Sequence, residues 1–244
     1  IMSSDWSSDV CSSDLEGAQK VSEKQYPVSV DGWINCGWNT LKERKEDLYR
    51  GVALLIGYQV LLFLISLLPL GIFVTIFIQL SAGVVISVGW LNYCLRIVRG
   101  EEVQPGIILE PFNRFAESWG VSIFLSILVT VGLMLLIVPG FYVMVRYGFS
   151  LFAVTDEKLP VSDSMKFSEK ITGGYGLHLT VFYIIAMVSL YLITLIYLNR
   201  GDTLGTLVLV FYHIGVTPVL SLVFASAYDS ISCAYRYNNL DRTV

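Results

Sequence analysis

The chain predicts an all-α, polytopic membrane protein: six transmembrane helices arranged as three hairpins, with amphipathic helices at the interface. Three observations lead there. Gly51 to Leu95 run for 45 residues without Asp, Glu, Lys or Arg. A bilayer core about 30 Å thick needs only about 20 helical residues, so this run is long enough to cross twice. Of 244 residues, 55% are hydrophobic and 15% charged, with mean hydropathy +0.65, whereas an ordinary soluble domain carries about 25% charged residues. The cations, finally, fall almost entirely on one side of the apolar blocks.

The elements follow in order. Residues 1–15 contain Ser-Ser-Asp three times, at Ser3-Ser4-Asp5, Ser7-Ser8-Asp9 and Ser12-Ser13-Asp14. The string resembles translated sequencing-adapter read-through and is set aside from fold reasoning, so Met2 is not expected to be the native start. A lead and an amphipathic helix occupy residues 16–50. Asp31 is the expected N-cap. Trp33, Gly37, Trp38 and Leu41 share one side of the helix, and Lys42, Arg44, Lys45 and Glu46 lie opposite, the pattern of an interfacial helix.

The membrane domain is expected over residues 51–235, followed by a C-terminal tail over 236–244. Its six apolar spans lie near 51–68, 72–95, 120–138, 139–155, 177–198 and 204–228. Pro69-Leu70-Gly71, Pro139-Gly140 and Asn199 to Asp202 supply the hairpin turns. A weak threefold repeat accompanies them. Each unit has an amphipathic polar segment, an aromatic residue before a glycine (Tyr49-Arg50-Gly51, Trp119-Gly120, Tyr175-Gly176) and a tight hairpin. Ile108, Phe112, Phe115 and Trp119 recur at helical spacing in the second unit. Val161, Met165, Ser168 and Ile171 do so in the third, with Gly173-Gly174 as C-cap. Tyr and Trp at these junctions suit an interfacial aromatic belt.

Charge sets the sidedness. Lys20, Lys24, Lys42, Arg44, Lys45, Arg50, Arg96, Arg99, Arg114, Lys158, Lys166, Lys170, Arg236 and Arg242 share one side; Arg200 stands on the other, and Arg146 lies inside a span. By the positive-inside rule both termini are cytoplasmic and the number of spans is even.

Four stretches carry a resemblance. Ser81-Ala82-Gly83 with Arg96 to Glu101, Leu136 to Tyr142 with Arg146, Ala153 to Glu157, and Ala227-Tyr228 with Ala234-Tyr235-Arg236 resemble segments of a bacterial six-span family, the domain-of-unknown-function family nine-seven-five. Val30 to Trp38 is similar to that family's entry segment. Its relatives are similar to the membrane domain of some glycerophosphodiester phosphodiesterases. The resemblance covers about residues 26–240 and departs over Met165 to Ile171, where a Trp is absent. It implies a fold and the bacterial inner membrane, and no established activity.

Arg146 is the most informative single residue. A mid-bilayer Arg costs at least about 2.5–3.5 kcal/mol on insertion scales and demands a partner. The candidates are Asp229, then Asp156 or Glu157 reached by snorkelling, then helix-end carbonyls. Arg146 with these three carboxylates forms either an anion or lipid-headgroup site or a structural ion pair. Asp156-Glu157 is expected to end a helix and face water. Gln79 and Asn92 suit interhelical hydrogen bonds, and the rows Gly83/Ser87 and Ser226/Ser230/Ala234 suit close helix packing. His178 and His213 are candidate packing or proton-relay groups. Pro218 is expected to kink the last span.

Net charge −4 argues against a nucleic-acid partner. Cys11, Cys36, Cys94 and Cys233 have no metal-binding spacing, so no disulfide, metal or cofactor is expected. No nucleophile elbow, phosphate loop or zinc motif is present, so no enzymatic activity is expected. The expected partners are the bilayer itself and an anionic lipid or a membrane partner protein. The sequence therefore points to a non-enzymatic lipid- or partner-binding component. The alternatives are a small transporter or exporter subunit, or an accessory membrane domain for a glycerophospholipid-hydrolysing enzyme.

Overall fold

In a computed structural model the chain is described over residues 28–68, 71–200, 205, 208 and 210–240, with side chains withheld at 137, 200 and 237–240. The expectations for residues 1–15, the lead up to residue 27, the turn positions Pro69 and Leu70, the Gly201-Asp202 turn and the chain end beyond residue 240 lie outside the described residues.

Every described element is helical. α1 spans Val30–Glu43, α2 Lys45–Ser66, α3 Ile72–Arg99, α4 Phe115–Leu135, α5 Ile137–Tyr147, α6 Ser150–Ala153, α7 Val161–Thr172, α8 Gly176–Arg200 and α9 Thr217–Leu240. A 3-10 segment, Pro105–Arg114, precedes α4, and a π-helical turn, Tyr212–Val216, precedes α9. Five stretches are long and apolar enough to cross a membrane: Lys45–Ser66, Ile72–Arg99, Pro105–Leu135, Gly176–Asn199 and Tyr212–Arg236.

The fourth expected span is different. Residues 139–155 fall on the eleven-residue α5, a break at Gly148 and Phe149, and the four-residue α6. Eleven helical residues rise about 16 Å, roughly half the hydrocarbon core. The hairpin turn also moves. It lies at the extended Leu136 (φ −164°, ψ 151°), while Pro139 and Gly140 sit in the first turn of α5. Proline is tolerated there because its missing N–H would have had no helical acceptor. The close approach of α4 to α5 rests on two glycines, since a Cβ on Gly132 would stand 2.8 Å from the Gly140 Cα.

Other local expectations shift for identifiable reasons. Ser29, not Asp31, caps α1, accepting from the Gly32 amide at 3.2 Å, and Asp31 falls in the first turn. The second amphipathic unit begins as a 3-10 segment rather than an α-helix, with Pro105 at its start and Pro111 inside it. Gly173 and Gly174 provide no left-handed C-cap; Gly173 has φ −56° and the turn runs straight into α8.

The core lies at the charged end of the bundle, where α3 and α9 end and α2 and α8 begin. Trp33, Tyr93, Leu95, Ile97, Phe149, Phe152, Leu222, Tyr228 and Ile231 are all buried there. Towards the opposite end the helices bury little of themselves, leaving Phe73 86% and Met134 82% exposed. Apolar side chains in that position suit a hydrocarbon solvent.

α1 does not lie loose at the interface. Trp33, Cys36, Gly37 and Thr40, at i, i+3, i+4 and i+7, pack it against α9. A Cβ on Gly37 would meet Val223 Cγ2 at 2.8 Å and its amide nitrogen at 3.1 Å. The Trp33 indole donates to Ser230 Oγ at 2.8 Å, and Ser226 Oγ donates to the Trp33 carbonyl at 3.1 Å. The small row on the last helix is thus a seat for α1.

Candidate functional site: an ion network at the charged end

The network centres on Arg99, the last residue of α3. Gly100 ends that helix in the left-handed conformation (φ 76°), its amide returning to the carbonyls of Arg96 and Ile97. Glycine adopts this cap without steric cost. A cation in a final helical turn also complements the helix dipole. The Arg99 guanidinium spans both Asp156 oxygens, Nη1 to Oδ1 at 2.6 Å and Nη2 to Oδ2 at 2.9 Å, while Nε donates to Asp229 Oδ1 at 2.8 Å. One side chain therefore joins α3, the turn after α6, and α9.

Two further groups complete it. Tyr228 OH donates to Asp156 Oδ2 at 3.0 Å, and its ring is held by stacking on Phe152 at 4.7 Å. Arg236 pairs with Glu157 and lies 4.0 Å from Asp156. The Asp156 side chain is 12% exposed, so the expected water-facing carboxylate is instead an enclosed one. Burial pushes the Asp156 carboxyl up, but the Arg99 hydrogen bonds and charge outweigh it and hold the group below the usual carboxylate range.

That sign fixes a pH dependence. A carboxyl depressed in the folded state contributes stability that is present above its unfolded value, about 3.9, and lost as pH falls through the folded value. Melting temperature is expected to drop on acidification below about pH 4. Asp156→Asn should flatten that drop; a variant with the same acid limb as the parent would remove Asp156 as its source.

Arg146 belongs elsewhere. Because the chain breaks after Tyr147, Arg146 stands in the last turn of α5, against α7, rather than midway along a span. Its Nη1 donates to the Glu169 carbonyl at 3.3 Å, Nη2 lies 3.6 Å from Glu169 Oε1, and the guanidinium sits 5.7 Å from the Tyr142 ring centroid. Its Nε is buried without a hydrogen-bond partner. Ser168 Oγ donates to the Arg146 carbonyl at 2.8 Å. The structure thus gives Arg146 the partner Glu169; Asp156 and Asp229 go to Arg99, and Glu157 goes to Arg236.

The remaining candidates divide. Asn92 Nδ2 reaches Glu110 Oε2 at 3.3 Å, where Arg96 Nη2 also donates at 2.7 Å, tying the 3-10 segment to α3. Gln79 lines an open groove of about 390 Å³ between α3 and α4, beside Gly83, Ser87, Ser122 and Ser126. His178 packs edge-on to Trp33 at 6.4 Å, with Nδ1 buried and unbonded. His213 lies within the π-helical turn, edge-on to Tyr212 at 5.7 Å. No group of three His, Cys, Asp or Glu among the described residues could hold a metal.

In the sequence Arg99 stands among the charges that set sidedness and within the Arg96 to Glu101 segment of the resemblance, and neither marks it as a site residue. The available signal was its position, an Arg in the last turn of a long apolar helix directly before a glycine. Chemically the network is self-satisfied: its cations and carboxylates are spent on each other. No family model, curated protein or solved structure matches this chain.

Proposed function

We propose that the chain is a multi-pass protein of the bacterial inner membrane with both termini cytoplasmic. In this reading it is a non-enzymatic component that binds lipid or a membrane partner. The observation that carries this reading is the self-pairing of the Arg99, Asp156, Asp229, Arg236 and Glu157 network. These charges hold helices together and leave the outer surface as what the molecule offers to its surroundings. The cation asymmetry of the sequence supports the sidedness, and the resemblance to six-span bacterial membrane proteins supports the compartment.

The test is fractionation followed by native mass spectrometry. The chain is expected to stay in the membrane pellet after alkaline carbonate, and to carry phospholipid out of mild detergent. Arg146→Leu, which removes the contacts with Glu169 and the Tyr142 ring, is expected to keep that lipid and lose about 1–3 kcal/mol of stability. Release by carbonate, or lipid-free spectra, would overturn the reading.

One observation favours a transporter or exporter subunit instead. Thr217 N–H donates to the Tyr212 carbonyl, the five-residue spacing of a π-turn, directly before Pro218. Such turns recur at functional sites. A metabolite retained by the parent and lost in Arg146→Leu would support that second reading.

A further inference from the structure

We infer that the outer face of α1 is a docking surface for anionic phospholipid at the membrane boundary. The inference rests on the membrane reading above and names the lipid class and the residues.

Geometry places the surface. α1 ends at Glu43, and α2, long and apolar enough to cross a membrane, begins at Lys45. A single residue, Arg44, separates them. It is anchored by its bond to the Glu101 carbonyl at 2.6 Å and its pair with Asp47 at 2.8 Å. α1 therefore leaves the mouth of a membrane-crossing helix and packs back along α9, with Gly37 at Val223 and Trp33 at Ser226 and Ser230. Its inner side is fully used: Trp33, Cys36, Gly37 and Thr40 are buried, and α9 receives them.

The outer side is unlike an ordinary solvated helix face. Ile34 is 43% and Trp38 50% exposed, four residues apart and hence stacked along the helix. Lys42 continues the same stripe, with its ammonium 5.6 Å from the Trp38 ring centroid. Lys45 and Tyr49 stand exposed on the first turns of α2, with the exposed acid Glu46 beside Lys45. The acid Glu43 lies about 140° around the helix axis from Trp38, off the stripe. Asp31 lies at the far, N-terminal end of the stripe.

Two apolar side chains with two cations match a phospholipid surface. The indole and Ile34 take the acyl boundary, and the ammonium groups take phosphate. Long lysine stems let the charge reach outward while the methylenes stay apolar. Each cation near an anionic leaflet contributes about 1 kcal/mol. A zwitterionic lipid satisfies the apolar half alone, and free phosphate satisfies only the cations.

The test uses the full chain in detergent, titrated separately with dioctanoyl phosphatidylglycerol, dioctanoyl phosphatidylcholine and inorganic phosphate, with melting temperature as the readout. Phosphatidylglycerol is expected to stabilise at concentrations roughly tenfold or more below phosphatidylcholine, and phosphate to have no effect. Lys42→Glu with Lys45→Glu should abolish the preference and shift the lipid-free melting temperature by only a few degrees, since both side chains are exposed and the Lys42 contact with Trp38 and its place in the last helical turn each contribute little at an exposed site. Trp38→Ala should weaken both lipids alike. Equal response to the two lipids, a preference that survives the charge reversal, or stabilisation by phosphate alone would each overturn the inference. Retention in the carbonate pellet together with equal lipid response would sink this inference while leaving the membrane reading standing.

Discussion

Arg99→Met is expected to be among the most destabilising single substitutions in the chain. It removes the group that bridges Asp156 and Asp229, whose side chains are 12% and 15% exposed. Breaking an enclosed ion pair from one side costs about 3–5 kcal/mol, because the abandoned charge stays where water cannot reach it. Tyr228 and Arg236 still reach Asp156, which places the loss towards the lower part of that range. In a chain of this size the melting temperature should fall by on the order of 10 °C. Neutralising all three groups together, Arg99→Met with Asp156→Asn and Asp229→Asn, should recover part of the loss, since no unpaired charge remains. A single variant that melts within about 2 °C of the parent would show that the network does not hold these helices together. A triple variant no better than the single would show that the cost lies in lost packing rather than in stranded charge.

Gly89→Ala is the second. A Cβ at this position would stand 1.9 Å from the Ile108 carbonyl oxygen and 2.8 Å from its carbon. The obstacle is backbone, so no side chain can swing aside. α3 and the 3-10 segment must part, and Ile107 and Ile108, both buried in the core, move with the segment. Overpacking of this kind costs about 1–3 kcal/mol where neighbours can yield, and a rigid backbone contact belongs at or above the top of that range. The same displacement pulls Glu110 away from Arg96 and Asn92. Thermal unfolding and the proteolysis rate of the 100–115 region would both report it. A Gly89→Ala protein as stable as the parent would mean that the two backbones are not in contact. Gly83→Ala is the control: nothing lies within 4 Å of a Cβ there, and helix propensity alone favours alanine by about 1 kcal/mol.

These positions also show how far a linear reading reaches. The long uncharged runs announce helices because a backbone in hydrocarbon must satisfy its own hydrogen bonds. The five long apolar helices follow from that rule without reference to any partner. The Ser226/Ser230 row was legible as a place of close packing, but its occupant, Trp33, is nearly two hundred residues away. The α1 stripe was misassigned for the same reason. Trp33 and Trp38 lie about 140° apart around the helix, and the presence of α9 decides which of the two is buried and which faces out.

Arg146 and Arg99 make the contrast sharper. The sequence marks Arg146 because it interrupts an apolar stretch, and counting along an unbroken helix puts it midway through. The break at Gly148 and Phe149 shortens that helix and brings Arg146 to α7 and Glu169. Arg99 was passed over because an Arg at the end of a span needs no explanation by itself. Its importance depends on Asp156 and Asp229 arriving at one place from 57 and 130 residues along the chain.

What the sequence alone determined is what depends on local chemistry: helical class and the presence of long, strongly apolar helices. What only the tertiary structure decided is which charges meet. Coulombic pairing at 2.6–2.9 Å is a property of through-space distance, and packed helices set that distance independently of separation along the chain.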